Sequence, residues 1–277
     1  MLRRFGFGKD KEPDEYLKFW KEFGRAIKEG VSADYENKER LLELLVFQSS
    51  HDPEKLTSLR EYVSRMKEDQ KEIFYLPGES RAQVENSPHL EAFKEKGIEV
   101  LYLVDSVDEL LTQSLHEYDG KRLKSVAKGT VNLGNEEEKK QTEETLKAKE
   151  EELKPLLDAL QQKLDTWVKQ VRLTNRLTTS PVCMVGAEHD YSPQLEKLLQ
   201  KGKGGGPKQR RILELNPNHQ ILTRLKDRFD TNAEDPVVED YAHLLFGYGL
   251  IAEGTELEDP VRFNRAVADL MTQGLQG

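Results

Sequence analysis

Residues 58–76, SLREYVSRMKEDQKEIFYL, decide the fold, because a charged amphipathic segment runs directly into a short apolar one. Ser58 and Glu61 stand at capping-box spacing: the serine hydroxyl can accept the N–H of residue 61 while the carboxylate reaches back to the N–H of residue 58. This predicts a helix starting at Ser58, with Tyr62, Val63 and Met66 along one apolar face. Ile73, Phe74, Tyr75 and Leu76 are strand formers closed by Pro77-Gly78, so a buried strand follows with almost no linker.

The same alternation continues downstream. Ser87-Pro88 supplies an N-cap and a first-turn proline, Gly97 ends the predicted helix, and IEVLYLV (98–104), apolar but for Glu99, is a strand. Ser106 and Glu109 repeat the capping-box spacing ahead of Leu110, Leu111 and Leu115. The turn Asp119-Gly120 then leads into KRLKSV (121–126), another short strand. Strand and helix in alternation predict α/β sandwich layers.

The segments YVSRMKEDQKEIFYL (62–76), SPHLEAFKEKGIEVLYL (87–103), DELLTQSLHEYDGK (108–121), VRLTNRLTTSPVCMV (171–185), LELNPNHQIL (213–222) and ELEDPVRFNRAV (256–267) together resemble the ninety-kilodalton heat-shock chaperone family, above all its bacterial form. The likeness runs from about Asp14 onward. It implies an α/β (α+β) fold of two α/β sandwich domains with long helices, ending in a helical dimerisation element. Residues 1–130 would be leading helices and the family's small middle subdomain, and 131–277 its C-terminal dimerisation domain. The family's nucleotide-binding domain and large middle subdomain have no counterpart among these 277 residues, so ATP and magnesium are not expected to bind here.

Composition agrees with this organisation. A chain of 277 residues suggests two domains, and 34% charged residues against about 25% in a typical globular chain imply broad solvated helical faces. Mean hydropathy is −0.74. No apolar run approaches the roughly 20 residues of a spanning helix, and MLRRFGFG at the start is too short and interrupted for a secretory signal, so a cytoplasmic protein without membrane contact is expected. The net charge of −9, with basic residues interspersed among acidic ones, disfavours nucleic acid. The single cysteine, Cys183, lies between Val182 and Met184 and reads as a buried core thiol.

NEEEKKQTEETLKAKEEELKPLLDALQQKLDTWV (135–168) is a long run of helix formers. Its first part is nearly all polar and open to fraying. Leu153, Leu156, Leu157, Leu160, Leu164 and Trp167 form a stripe that must dock, and Pro155 either kinks the helix or marks its true start. Beyond it, VKQVRLTNRL and PVCMV read as paired strands and RILELNP as a third. Three helices follow, two of them fixed at their starts by Asp235-Pro236 and Asp259-Pro260. Val237, Tyr241, Leu244, Leu245 and Tyr248 share a face of the first of these two; Val261, Asn264, Val267, Leu270 and Met271 share a face of the second. Both stripes could pack within their own subunit. The resemblance implies instead that they join a twofold mate in a four-helix bundle, giving a homodimer.

Ser192-Pro193 opens a short helix with Tyr191, Leu195, Leu198 and Leu199 on one side, followed by a glycine-rich, lysine-bearing loop. That loop lacks the GK[ST] of a phosphate-binding loop and reads as a connector. The resemblance assigns the four apolar residues to contact with non-native client polypeptides, although the helix could equally pack on its own domain. It assigns Glu109, Leu110 and Gln113 to a second client patch, with leucine standing where the bacterial family has tryptophan. It also admits a seventy-kilodalton-class chaperone as a partner. Catalysis has little support: the six histidines, His51, His89, His116, His189, His219 and His243, show no HExxH spacing and read as surface or cap residues, and no GxSxG elbow occurs. The chain by itself is not expected to be an enzyme, and a purely structural dimeriser is the competing reading.

Overall fold

The computed structural model describes residues 13–201 and 209–275, with the side chains at 13, 197, 198, 200 and 201 excepted. The fold is mixed α/β, built on two separate sheets. In the first, α1 (Pro13–Ala33) and α2 (Lys38–Leu42) precede β1 (Val46–Ser49) and β2 (Thr57–Ser58), and α3 (Leu59–Arg65) then feeds β3 (Glu72–Pro77). The capping box at Ser58 forms as expected: Ser58 N donates to Glu61 Oε2 at 2.8 Å and Glu61 N to Ser58 Oγ at 3.3 Å. Tyr62 ties the helix to the sheet, its hydroxyl donating to Glu99 O at 2.7 Å and accepting from Phe74 N at 3.0 Å. Burial pushes that phenol well above its ordinary pKa and keeps it protonated.

After α4 (Arg81–Glu85), the helix expected from Ser87 to Gly97 is divided into a 3₁₀ turn, Pro88–Leu90, and α5 (Glu91–Glu95). The division has a tertiary cause, since the Ala92 amide donates outward to Arg176 O at 3.2 Å. Gly97 ends the segment at φ +57°, and the following strand, β4 (Leu101–Leu103), is shorter than the apolar run that contains it. The capping box expected at Ser106 does not form. Val107 is the cap position of α6 (Asp108–Ser114) and makes no side-chain cap bond. Asp108 is instead taken by Lys28 of α1 at 2.8 Å and accepts the Asp105 amide at 3.0 Å. β5 (Glu117–Tyr118) and β6 (Lys121–Ser125) form a hairpin whose two turn residues, Asp119 and Gly120, are both left-handed.

The first sheet has the order β2-β1-β4-β3-β6-β5, with β3 parallel to both its neighbours. Its two faces bury different cores, as strand alternation requires. Ile73 and Leu101 pack with Leu59, Tyr62 and Leu111 on one face, while Phe74 and Leu76 pack with Phe93 and Val126 on the other.

In the second part, α7 (Glu136–Leu164) is continuous and begins at an Asn135 cap, whose Oδ1 accepts the amides of residues 137 and 138 at 3.1 and 2.9 Å. Pro155 therefore lies inside the helix and does not mark its start. The five leucines of the stripe are buried against the second sheet, with Trp167 partly buried beside them. The sheet order is β7-β9-β8, so β7 (Val168–Leu173) and β8 (Val182–Val185) are not paired with each other, contrary to expectation. β9 (Arg211–Leu215) lies between them, parallel to β7 and antiparallel to β8. Every residue of β9 is buried, and only the central place in a three-stranded sheet covers both edges of such a strand.

The remaining helices are α8 (Pro193–Lys201), α9 (Gln220–Thr231), α10 (Pro236–Glu253) and α11 (Pro260–Gly274). Asp235 and Asp259 cap α10 and α11 as predicted, accepting from Val237 N and Arg262 N at 2.9 Å each. α10 lies so close to β8 that a Cβ on Gly249 would stand 2.9 Å from Met184 Cγ.

Candidate interaction surfaces

The first turn of α8 is held on two sides. Ser192 Oγ caps the helix by accepting Leu195 N at 3.0 Å and donates its own proton to Glu109 Oε1 at 2.5 Å. From β9, Arg211 donates to Tyr191 O at 2.8 Å and pairs with Glu196 at 2.9 Å, while Gln209 Oε1 accepts the Tyr191 amide at 2.9 Å. Of the expected contact residues, Tyr191 and Leu199 are exposed and Leu195 is half-buried. The Leu198 side chain and the glycine-rich loop at 202–208 lie outside what the structure describes.

The α6 patch divides. Leu110 is 56% exposed and Gln113 is exposed, but Glu109 is only 7% exposed. Glu109 therefore does not belong to the open patch in which the resemblance placed it. Burial pushes its carboxyl above the ordinary range, against the lowering effects of the Ser192 hydrogen bond and the nearby Lys128 charge.

α10 is apolar on almost every side, and its sequence stripe crosses the boundary between two faces. Leu245 is buried in the chain's own core beside Val238, Ala242, Phe246 and Leu250, which corrects its expected place in a dimer face, and Tyr241 packs partly against that core. Val237 and Leu244 are half-buried, and Tyr248 is exposed next to Ile251. α11 buries none of its residues. Val261 is 79% exposed and Met271 66%, Asn264 is exposed, and Val267 and Leu270 are half-buried. α11 rests on α10 through Phe263 against Gly247 and an Arg262–Glu239 ion pair at 2.9 Å.

A polar junction joins the two sheet layers through residues that sequence reasoning did not single out. The Arg176 side chain is fully buried, with Nε 2.7 Å from Glu214 Oε2; its guanidinium also donates to Gly129 O at 2.7 Å and to Val126 O. Arg172 holds the other Glu214 oxygen, at 2.6 Å. Glu91 accepts the amides of Thr178, Thr179 and Ser180 at 2.7, 2.8 and 3.1 Å. Lys128 pairs with Gly186 as an isolated bridge. The available signal was a charged residue, Glu214, between Leu213 and Leu215 in a strand read as buried, since such a residue must find a buried partner.

Cys183 is buried, as expected, and burial pushes its thiol well above the ordinary pKa. His219 caps α9, its Nδ1 accepting from Ile221 N at 3.1 Å. His89 is not a surface residue: it is buried in the 3₁₀ turn against β8, and desolvation, with Arg176 and Arg211 nearby, pushes its pKa down to about 3. Among the described residues, no cluster of His, Cys, Asp and Glu could hold a metal ion, and no helix is long and apolar enough to cross a membrane.

The family profile described as Hsp90 protein matches residues 7–277. Among curated relatives, the chain is 46% identical over 270 residues to the "Chaperone protein HtpG" of Nocardia farcinica (strain IFM 10152), covering 95% of this chain and 41% of the relative. It is 46% identical over 265 residues to that of Rhodococcus jostii (strain RHA1), covering 96% and 41%, and 45% identical over 264 residues to that of Geobacter metallireducens (strain ATCC 53774 / DSM 7210 / GS-15), covering 95% and 41%. The chain thus spans about two-fifths of the length of these relatives. With a family match over nearly all its residues, the chain belongs to the Hsp90 family.

Proposed function

We propose that these residues form the dimerising and client-holding portion of a cytoplasmic molecular chaperone, with nucleotide chemistry residing outside them. The observation that carries the reading is α11: a regular amphipathic helix with Val261 and Met271 open to solvent and no buried residue of its own, packed on α10, whose Tyr248 and Ile251 are exposed as well. An apolar ridge of this kind is stabilised by association, and a homodimer closes it by twofold symmetry. A standard interface buries about 1,600 Å² in total, enough apolar area for a tight dimer after association costs. Clients would be non-native chains with exposed apolar segments, met by Tyr191, Leu195 and Leu199 and by Leu110 and Gln113. Neither nucleic acid nor membrane belongs to this reading.

The domain division near residue 130 is part of the same proposal. The buried clusters favour a position a little further on, because Val131 and Leu133 pack with the first part and the second cluster begins at Leu153. A second reading, a structural dimeriser without client contact, draws on the burial of Glu109 and the half-burial of Leu195. Two measurements decide. Light scattering across micromolar concentrations is expected to return twice 31.9 kDa, and the monomer mass throughout would remove the dimer. The chain is expected to slow aggregation of a heat-denatured substrate, and Leu195→Asp with Leu199→Asp to abolish that protection; failure of the unchanged chain to protect would leave the scaffold reading, and protection that survives both changes would remove α8 as the client surface.

A further inference from the structure

Glu109 stands where the resemblance expects a client contact, yet its side chain points inward and ends on Ser192. Ser192 is 5% exposed, and one hydroxyl there does two things: its lone pair caps α8 at Leu195 N, and its proton goes to the carboxylate of α6. A hydroxyl has a single proton and rotates freely, so an acceptor oxygen fixed on α6 settles its direction and leaves the lone pairs turned to the helix amides. Beyond its first turn α8 presents Leu199 to solvent. The described side-chain bonds of α8, to Glu109 through Ser192 and to Arg211 through Glu196, all lie in its first turn, so its direction is set at its root.

We propose that Glu109 is a positioning residue: acting through Ser192, it fixes the direction of α8 and thereby the placement of Tyr191, Leu195 and Leu199 beside Leu110 and Gln113. It is not a client contact itself. The two surfaces become one mechanical unit, with α6 setting the register of α8. The consequence for clients rests on the reading proposed above, whereas the setting of α8 does not.

The test combines hydrogen exchange at the amides of residues 195–199 with binding of a permanently unfolded probe, reduced and carboxymethylated α-lactalbumin, to the whole 277-residue chain. Glu109→Ala and Ser192→Ala are each expected to speed α8 exchange about tenfold, the scale of a lost cap, and to weaken probe binding by a similar factor. The double variant is expected to be no worse than either single one. Glu109→Gln keeps an acceptor and Ser192→Thr keeps a hydroxyl, so both are expected to restore exchange and binding to within about twofold. Unchanged α8 exchange in the alanine variants overturns the proposal, whatever the probe does. So does Glu109→Gln weakening binding as much as Glu109→Ala with α8 undisturbed, because that outcome marks a charge contact. If the wild-type chain ignores the probe while α8 exchange follows the predicted pattern, the client reading fails and the positioning role stands.

Discussion

Arg176 has no exposed side-chain surface, and its charge is answered by Glu214 at 2.7 Å together with the Gly129 and Val126 carbonyls. Arg176→Met leaves Glu214 held by Arg172 alone and the Val126 carbonyl without its guanidinium donor, so it is expected to lower stability by about 1–3 kcal/mol, read from the midpoint of urea unfolding. Arg176→Lys is expected to recover little of that loss, since an ammonium cannot make the same fork. Glu91 behaves differently. Burial raises its pKa, but the hydrogen bonds from Ser180, Thr179 and Thr178 outweigh it, and the carboxyl lies below its usual 4.5. A depressed acid contributes stability above its unfolded pKa and loses it as pH falls through the folded value. The stability gap between the wild-type chain and Glu91→Gln is therefore expected to be full above about pH 4.5 and to close on further acidification; a gap independent of pH would contradict the assignment.

At the scale of elements, the capping residues were the most legible part of the chain. Ser58, Ser87, Asp235 and Asp259 all cap in the structure, because a cap is a contact within four residues and owes little to the rest of the fold. Ser106 did not, since Lys28, far away in sequence, claims Asp108 and Ser192 claims Glu109. The packing of α10 on β8 depends on Gly249, and Gly249→Ala would force a methyl to within 2.9 Å of Met184 Cγ. Although alanine favours helices, overpacking is expected to win and cost about 1–3 kcal/mol; Met184→Ala is expected to relieve the clash, giving a non-additive double variant in thermal melts.

For the whole molecule, the decisive surface is the ridge made by α10 and α11. Charges placed there meet solvent in a monomer and a partner's apolar side chains in a dimer. Val261→Asp with Met271→Asp is accordingly expected to shift the mass measured by light scattering toward 31.9 kDa while leaving the circular dichroism spectrum unchanged, since neither side chain is buried in its own chain. A dimer that survives both charges would place the interface elsewhere. The junction of Glu91, Arg176 and Glu214 belongs to this scale too, because it joins segments that lie some fifty to ninety residues apart in the chain.

From Ser58 onward the sequence by itself determined most of the helices and strands and their starts, the leucine stripe of α7 and the family, because caps, turns and hydrophobic periods are local and leave their marks within a few residues; β1, β2 and α4 carried no such mark. The tertiary structure alone decided three things: that β9 separates β7 from β8, that Leu245 belongs to the core while Tyr248 stays outside, and that Glu109 serves Ser192. Each depends on which surfaces of distant segments meet. A helix as apolar on all sides as α10 does not say which side is covered, and a carboxylate on an amphipathic helix does not say whether water or a remote hydroxyl will receive it.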